Sequence, residues 1–319
     1  MNYWLQRVGM AVLLLLTVSA LTFGAMNVLG DPLFNILGPA AADVNNPANA
    51  EKIAAARAEY NLDDPLPVRY VKWLGDFVTG DMGVQFSSTG QPPVTNLIQE
   101  RLPRTLTLLV MAQAFAVVLA VPWALFSASK ANKTPDKVST LASFAMIALP
   151  AFALAVILKY LLAIKLGWFP LAYRASDSFP KRLWQTVLPA LTIALPAAAV
   201  YQRLLRTDLI TTLQEDFILM ARSKGVSRRD VLYKHALRPS LFSFVTVFGI
   251  NTGALIGGAF VVEKIFLIPG LGLTIVESIA REDFPVVLAI VMIVTAAFVV
   301  LNVLIDVLYS LIDPRVRAS

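Results

Sequence analysis

The side chains that could take part in chemistry are few, and most of them lie in one charged stretch, residues 203–241. This stretch contains eight Lys or Arg residues, four Asp or Glu residues and His235, the only histidine in the chain. The chain has no cysteine, which excludes disulfides and thiolate metal sites. A single histidine supports neither a catalytic constellation nor a metal site. We therefore expect a protein that is not an enzyme and that binds no metal.

The chain also lacks the G-x-x-x-x-G-K-[ST] loop, whose backbone N–H groups bind the phosphates of ATP. We therefore expect no cofactor in this chain. Any work that requires ATP must be driven by a partner protein.

The composition is that of a membrane protein. Of the 319 residues, 57% are hydrophobic and 15% are charged, and the mean hydropathy is +0.68. Soluble domains have about 25% charged residues. A net charge of +6 would suggest nucleic-acid binding in a soluble protein, but in a membrane protein Lys and Arg mark cytoplasmic loops. We therefore expect contact with membrane lipid and no nucleic-acid partner.

Six apolar runs of about 20–25 residues are each long enough to cross a hydrocarbon core of ~30 Å as a helix. They cover residues 8–30, 105–129, 138–158, 183–202, 239–262 and 284–305. The first run could be a signal peptide, but it exceeds the usual apolar region of about 7–15 residues, so we interpret it as an uncleaved span. The sequence thus predicts an all-α membrane protein with six transmembrane helices.

The distribution of basic residues predicts that both termini are cytoplasmic. With that orientation the cytoplasmic segments contain 14 Lys or Arg residues, and the short outer loops contain six or seven. Basic residues concentrate in cytoplasmic loops, although long translocated segments follow this rule poorly. The polar interval over residues 31–104 is therefore exempt from the count, and we expect it to be a long extracytoplasmic segment after the first helix.

Residues 31–104 have helical signals of their own. The dipeptide Asn46-Pro47 marks a helix start, and the helix-forming sequence AEKIAAARAEY follows it. Farther along, Tyr70, Trp73 and Phe77 fall on one face of a helix. We expect this face to pack against the protein or to lie in the membrane interface, and stacking on a ligand is the alternative.

Glycine recurs every fourth residue in the fifth apolar run, at Gly249, Gly253 and Gly257. Small residues at this spacing allow two helix backbones to approach closely. The sequence leaves open whether this face packs within the chain, contacts another subunit or lines a translocation path. Asn251 and Thr252 lie beside it and are the best polar candidates for a cavity.

The charged stretch is predicted to form two short helices. The first covers residues 212–224 and ends with Gly225 as its C-terminal cap. The second covers residues 228–237 and begins with a capping box between Ser227 and Asp230.

The first of these helices combines an apolar face with a basic rim. The face consists of Phe217, Ile218 and Ala221, and the surrounding basic residues are Arg222, Lys224, Arg228 and Arg229. A short exposed helix with an apolar centre and a polar rim fits a groove on a partner protein. This helix is therefore the candidate docking site.

Several motifs follow one another along the chain. In order they are Asp31-Pro32, DDPLPVRYVKWL, GDMG, GWFP, LPALTIALP, DFILMARSKGVSRRDVLYKHALRPSL, GGAFVVEKIFLIPGLG and DVLYSLIDPRVR. This ordered set resembles the permease subunits of ATP-binding-cassette (ABC) importers, in the dipeptide and oligopeptide branch. The resemblance covers essentially the whole chain.

The resemblance implies the fold of a type I ABC importer permease and a multi-pass location in the inner membrane. It implies a complex with a second homologous permease subunit, two ATPase subunits that bind ATP and Mg²⁺, and an extracytoplasmic solute-binding protein. In that family the loop corresponding to residues 215–239 carries a coupling helix, which docks in a cleft of the ATPase subunit. The implied coupling residues are Glu215, Asp216, Phe217, Ala221, Arg222, Lys224 and Gly225.

The chain departs from the broader family signature within this helix. The signature has Glu-Ala-Ala followed by Gly, whereas this chain has Leu219, Met220 and Ala221 before Gly225. Only Ala221 and Gly225 match. A salt bridge from position 219 to the partner is therefore not expected.

The sequence thus predicts a peptide importer permease with a first span (residues 1–30), an extracytoplasmic segment (31–104) and a five-helix core (105–319) that contains the coupling loop at residues 203–240. Nickel, glutathione and haem remain alternative substrates, and the partner permease could be a copy of this chain or a paralogue. A secondary transporter or channel acting alone would usually have ionisable residues deep in its spans. An intramembrane enzyme has no supporting constellation.

Overall fold

The computed structural model describes residues 2–29, 33–41 and 47–312, and the regular elements in these ranges are helices. Their only β-pairing is a bridge between Val84 and Pro93. The all-α prediction is therefore confirmed for the described residues. Asp31, Pro32 and Asn46, which the sequence analysis singled out, lie outside them.

The described helices differ widely in length, from three residues to 36. They are α1 (Asn2–Leu29), α2 (Leu33–Leu37), α3 (Pro47–Glu59), α4 (Leu66–Thr79), α5 (Val94–Ser129), α6 (Thr134–Ala148), α7 (Ala151–Leu158), α8 (Phe179–Thr212), α9 (Asp216–Ser223), α10 (Arg228–Asp230), α11 (Leu237–Phe266), α12 (Leu271–Ala280) and α13 (Phe284–Ile312). A 3-10 turn follows α2 at Gly38–Ala41, and π-helical stretches follow α7 at Lys159–Lys165 and α10 at Val231–Ala236.

Four of the described helices are long and apolar enough to cross a membrane, and the number rises to six if each of two bent helix pairs forms one span. The four are Gln6–Val28, Val94–Ser129, Phe179–Thr212 and Phe284–Leu304. The bent pairs are Thr134–Ala148 with Ala151–Lys165, and Arg228–Gly253 with Leu255–Phe266. This count rests on length and composition, so the six-span topology stays a prediction.

The third apolar run forms two helices, whereas the sequence predicted one span over residues 138–158 with a proline inside it. The chain bends by 104° between α6 and α7. Leu149 and Pro150 separate the two helices, with ψ angles of 123° and 140°. A proline donates no N–H and disfavours the helical conformation of the residue before it. The helix therefore ends here.

The fourth run continues as a helix well beyond its apolar residues. α8 contains Pro189 and Pro196 and extends to Thr212. The predicted helix over residues 212–224 is therefore wrong in its start, because α8 ends at Thr212 and α9 begins only at Asp216. Hydropathy shows where apolar residues stop, whereas a helix continues until its backbone hydrogen bonds are interrupted.

The predicted start of the fifth span at Pro239 is also wrong. α11 begins at Leu237, and α10 and the π-helical stretch Val231–Ala236 precede it without a break. In a regular α-helix a proline ring clashes with the carbonyl of the residue four positions before it. The π-helical stretch ends at Ala236, and it contains His235, the residue four positions before Pro239.

The chain divides into two compact units, residues 1–103 with 273–299 and residues 104–272 with 300–319. In the first unit, the aromatic face of α4 packs on α1. The Phe23 ring centroid lies 5.6 Å from those of Tyr70 and Trp73. The predicted packing of this face against the protein is therefore confirmed.

In the second unit, the most regular small-residue face belongs to α5. Its alanines at positions 112, 116, 120, 124 and 128 recur every fourth residue, and each is at most 4% exposed. They lie in two apolar cores to which α8 and α11 also contribute. Small side chains at this spacing allow close approach of neighbouring helices. The sequence analysis had looked for such a face among the glycines of α11 and missed this one.

A buried carboxylate joins α5 and α11 to the first turn of α12. Glu263 is fully buried, and its Oε1 accepts a hydrogen bond of 2.6 Å from the Thr105 hydroxyl. Its Oε2 accepts a 2.7 Å bond from the backbone N–H of Gly272, and Thr105 Oγ1 accepts a 2.8 Å bond from that of Leu271. The first N–H groups of a helix have no partner within it. The helix is therefore capped by one side chain that is distant in sequence, Thr105, and by one that lies shortly before it, Glu263.

We expect Gly272→Ala to destabilise the protein, because an added Cβ would lie 2.5 Å from the Cα of Phe260. Overpacking of this kind costs about 1–3 kcal/mol. Thermal unfolding of the purified chain in detergent, followed by circular dichroism, measures the loss. Gly75→Ala is the matched control, because a Cβ at Gly75 meets nothing within 4 Å. Equal melting temperatures for the two variants would contradict the prediction.

Candidate functional site

The candidate docking segment comprises residues 215–225 and is built around the eight-residue helix α9. Glu215 precedes the helix with an extended ψ of 151°, and Asp216 provides a negative charge in its first turn. Negative charge at a helix N-terminus is favourable because of the helix dipole. Among the predicted coupling residues, these two therefore define where the segment begins.

Gly225 ends the docking segment in the left-handed conformation. Its φ angle is +80°, and its backbone N–H donates a 3.0 Å hydrogen bond to the carbonyl of Arg222. The N–H of Val226 donates to the carbonyl of Ala221 at 3.2 Å. Glycine is favoured here because residues with a Cβ are strained at positive φ. The prediction that Gly225 caps this helix is therefore confirmed.

The docking segment is anchored to the rest of the second unit by two side chains. Ile218 is fully buried and Ala221 is 9% exposed. Both belong to an apolar core whose other members come from α5, α8 and the chain that follows α9, including Leu125, Leu209 and Leu232. The position of α9 is therefore set by apolar burial against three other parts of the unit.

The exposed apolar surface of α9 differs from the predicted one. Phe217 is 45% exposed, Leu219 is 54% exposed and Met220 is 58% exposed. The sequence analysis had grouped Phe217 with Ile218 and Ala221 as one exposed face. That grouping is wrong, because Ile218 and Ala221 face the protein interior. The surface open to a partner consists of Phe217, Leu219 and Met220.

Charged side chains surround this apolar surface. Glu215, Asp216, Arg222 and Lys224 are all exposed. After the segment, the Ser227 hydroxyl donates to Asp230 Oδ2 at 2.7 Å, and it accepts a 3.1 Å bond from the backbone N–H of Asp230. The predicted N-cap at Ser227 is therefore confirmed, although Asp230 accepts its return bond from the Ser227 hydroxyl and not from the backbone N–H that a capping box uses. Lys234 adds an ion pair of 2.7 Å to Asp230.

A buried ion pair involves Arg206, which lies near the end of α8 and shortly before the docking segment in sequence. Asp136 at the start of α6 is 2% exposed, and both of its oxygens accept 2.5 Å hydrogen bonds from Arg206 of α8. The Ser127 hydroxyl at the end of α5 adds a bond of 2.5 Å, and the backbone N–H of Asn132 adds one of 2.9 Å. The sequence analysis had assigned the basic residues of this stretch to topology and to the rim. Arg206 instead joins three helices.

The glycine face of α11 is not buried as a whole. Gly249 is buried and Gly253 is half-buried, but Gly257 is exposed and an added Cβ there would meet nothing within 4 Å. Close packing inside the chain therefore does not require glycine at position 257. This end of the face is available to another subunit or to a solute.

The structure separates the two polar candidates beside that face. Thr252 accepts a 2.9 Å hydrogen bond from the Gln113 amide, which also donates to the Tyr201 hydroxyl at 3.0 Å. Thr252 is thus a packing residue in a network that joins α5, α8 and α11. Nothing in the local sequence identifies these partners of Gln113, which lie 88 and 139 residues away along the chain.

Asn251 lines a cavity of about 200 Å³ in the second unit. The rest of the lining is almost entirely apolar and includes Ile147, Pro196, Val200 and Leu255. The one other polar side chain there is Thr192, whose hydroxyl donates to the Leu188 carbonyl of its own helix at 2.9 Å. Within the described part of the chain, the Asn251 amide has no such partner and remains available to a solute.

Within residues 2–29, 33–41 and 47–312, no group of three or more His, Asp or Glu side chains is arranged so that it could hold a metal ion.

Two family models match this chain and together cover nearly all of it. The model described as "Binding-protein-dependent transport system inner membrane component" matches residues 120–318. A companion model for the N-terminal part of such membrane components matches residues 1–109.

Curated relatives align over the full length. The chain is 35% identical over 320 residues to the oligopeptide transport system permease protein AppB of Bacillus subtilis, covering 99% of each chain. It is likewise 35% identical over 319 residues to the glutathione transport system permease protein GsiC of Escherichia coli strain K12, again with 99% of each chain covered.

We expect Arg206→Ala to destabilise the chain strongly, because it leaves the buried Asp136 carboxylate without its cation. Breaking a buried ion pair costs about 3–5 kcal/mol. Arg203→Ala is a matched control on the same helix, because Arg203 is exposed and its guanidinium stacks over the Phe144 ring at 4.3 Å. Such an exposed contact is worth about 0.5–1 kcal/mol. Denaturant unfolding in detergent that gave equal losses for both variants would contradict the ion-pair argument.

Proposed function

Because the chain belongs to the family of binding-protein-dependent transport system inner membrane components, we propose that it is a permease subunit of an ATP-driven importer for peptides. In this role it forms half of a translocation path and is itself no enzyme. Its relatives include permeases of oligopeptide and glutathione transport systems. The glutathione relatives make glutathione, itself a small peptide, the second candidate substrate.

The observation that carries this proposal is the docking segment. Phe217, Leu219 and Met220 expose apolar surface on a helix that its own chain holds in place through Ile218 and Ala221. A fixed helix with an apolar centre and a charged rim matches what a groove on a partner protein binds. Since the chain has no phosphate-binding loop of its own, the partner proposed here is an ATPase subunit that binds ATP and Mg²⁺.

We propose that the docking segment transmits motion from the ATPase subunits to the membrane helices. Ile218 and Ala221 share an apolar core with α5, α8 and α11. Arg206 further ties α8 to the start of α6 through Asp136. In this proposal a displacement of α9 is passed on to the helices against which it packs. ATP-driven closure of the ATPase pair would bias the permease between two conformations, inward-facing and outward-facing.

In this proposal the Asn251 cavity is part of the translocation path. Its lining is apolar apart from Asn251 and Thr192, so it offers few groups that would retain a particular solute. Selection would then rest with an extracytoplasmic solute-binding protein. The exposed glycine surface around Gly257 is proposed to face the second permease subunit or the path.

The proposed topology has six spans, with each bent helix pair counted as one and both termini in the cytoplasm. Residues 1–30 form the first span, residues 31–104 the extracytoplasmic segment and residues 105–319 the five-helix core. The complex would contain two permease subunits and two ATPase subunits. As a member of this family with several apolar helices, the chain is a multi-pass inner-membrane protein.

We expect Met220→Asp to abolish peptide uptake and permease-stimulated ATP hydrolysis in the assembled transporter, because the charge would be desolvated in the partner's groove. The matched control is Leu66→Asp, which also places a charge at an exposed apolar residue, at the start of α4. Uptake in proteoliposomes, together with phosphate release, measures both. The docking proposal would be abandoned if Met220→Asp transported normally. A charge at Ala221 is a poorer test, because it would also disrupt the core of the permease itself.

We expect Gly225→Pro to uncouple ATP hydrolysis from uptake while leaving membrane insertion intact. Proline cannot adopt the φ of +80° seen at Gly225, and it removes the N–H that bonds to Arg222. The end of α9 would therefore change direction. Co-purification of the ATPase subunits with the variant and uptake by the same preparation are the two measurements. Normal uptake would exclude a coupling role for the end of α9.

A further inference from the structure

The first unit contains a cavity that the proposed docking segment and translocation path do not use. Its volume is about 390 Å³, which falls within the range of about 300–1,000 Å³ typical of small-molecule sites. It is bordered by the ends of α1 and α3, by α4, by the loop after α4 and by the start of α13. Five separate parts of the unit thus converge on it.

Aromatic side chains form much of the cavity wall. Phe23 and Trp73 are neighbours with ring centroids 5.6 Å apart, and Tyr60 meets Phe86 edge to face at 5.2 Å. Phe284 adds a fifth ring to the lining. Aromatic faces carry partial negative charge and attract cations, especially ammonium groups.

The charged residues of the lining leave the cavity negative. Glu59, Asp76 and Asp81 contribute three carboxylates, and Arg69 and Lys72 contribute two cations. However, the charge of Lys72 is balanced by Asp64, a residue outside the lining, because the Lys72 Nζ lies 2.6 Å from an Asp64 carboxylate oxygen. Three carboxylates therefore remain against one guanidinium, in a chain whose net charge is +6.

Two of these carboxylates are not committed to the protein. Glu59 at the end of α3 and Asp76 on α4 have no hydrogen-bond or ion-pair partner for their side chains among the described residues. The third carboxylate, Asp81, accepts a 2.9 Å bond at Oδ1 from the N–H of Gly83. Burial and the charge of Glu59 both raise the pKa of Tyr60. The negative charge of Glu59 therefore acts on the aromatic wall.

We propose that this cavity binds a small organic cation in which a primary ammonium group is attached to an aromatic or apolar group. The carboxylates would bind the ammonium, and the rings would contact both the ammonium and the apolar part. Anions would be repelled, and neutral apolar molecules would lack the ionic contribution. The amino end of a short peptide has this chemistry. That last identification rests on the proposed function, whereas the preference for cations does not.

The test compares two probes that differ in one charge. L-phenylalanine amide carries a free ammonium, and N-acetyl-L-phenylalanine amide is its neutral counterpart. Isothermal titration calorimetry with the full chain in lipid nanodiscs measures both, and empty nanodiscs correct for partition into lipid. We expect the cationic probe to bind at least about tenfold more tightly than the neutral one. Equal affinities, or no binding of either probe, would overturn the proposal.

Variants connect this preference to the cavity. We expect Glu59→Gln and Asp76→Asn each to weaken binding of the cationic probe about threefold, the effect of one partly exposed ion pair. Glu51→Gln makes the same change on the same helix, outside the lining, and should leave affinity unchanged. If Glu59→Gln matched Glu51→Gln, the site would be refuted.

The assay is independent of the proposed transport role. It contains no ATPase subunit, and Met220→Asp should bind the cationic probe as tightly as the unaltered chain. If the probe did not bind but peptide uptake were normal, only the cation-site proposal would be refuted. If the probe bound but a complete complex took up no peptide, only the transport proposal would be refuted.

Discussion

The ion pair between Asp136 and Arg206 holds together the helices against which the docking segment packs. A carboxylate that is 2% exposed is stable only if a cation balances its charge and its oxygens accept hydrogen bonds. Arg206 supplies the charge through two hydrogen bonds, and Ser127 and Asn132 supply the rest. The pair thereby fixes the end of α5 and the start of α6 to α8. Six residues after Arg206, α8 ends at Thr212, and the docking segment follows from Glu215.

The same rule explains two other junctions in the second unit. Glu263 and Thr105 satisfy the first N–H groups of α12, and Gln113 joins Tyr201 to Thr252. In both, a polar side chain of α5 contributes, while the alanine face of this helix packs in the apolar cores. α5 is therefore the common partner of these contacts. In the proposed mechanism, α5 and α8 would transmit a movement of the docking segment to the rest of the second unit.

Features with a local cause could be predicted from the sequence. Gly225 was recognised as a cap because a positive φ favours glycine, and Ser227 because its partner Asp230 is three residues away. The aromatic face of α4 followed from helical spacing alone. By contrast, Leu149 and Pro150 end a helix completely, while Pro189 and Pro196 are accommodated inside one. Leucine precedes each of these three prolines, so the residue before a proline does not distinguish the two outcomes.

The sequence by itself determined that this is an all-α chain with apolar runs long enough to span a membrane, because hydropathy, spacing and capping are properties of consecutive residues, and its ordered motifs carry the resemblance to the importer permeases. Only the tertiary structure decided which apolar residues of α9 are exposed. Ile218 and Ala221 face a core assembled from distant helices, which leaves Leu219 and Met220 outside. It also decided that Asn251 lines a cavity while Thr252 bonds to Gln113. Helical periodicity defines faces, but burial depends on which face meets another helix.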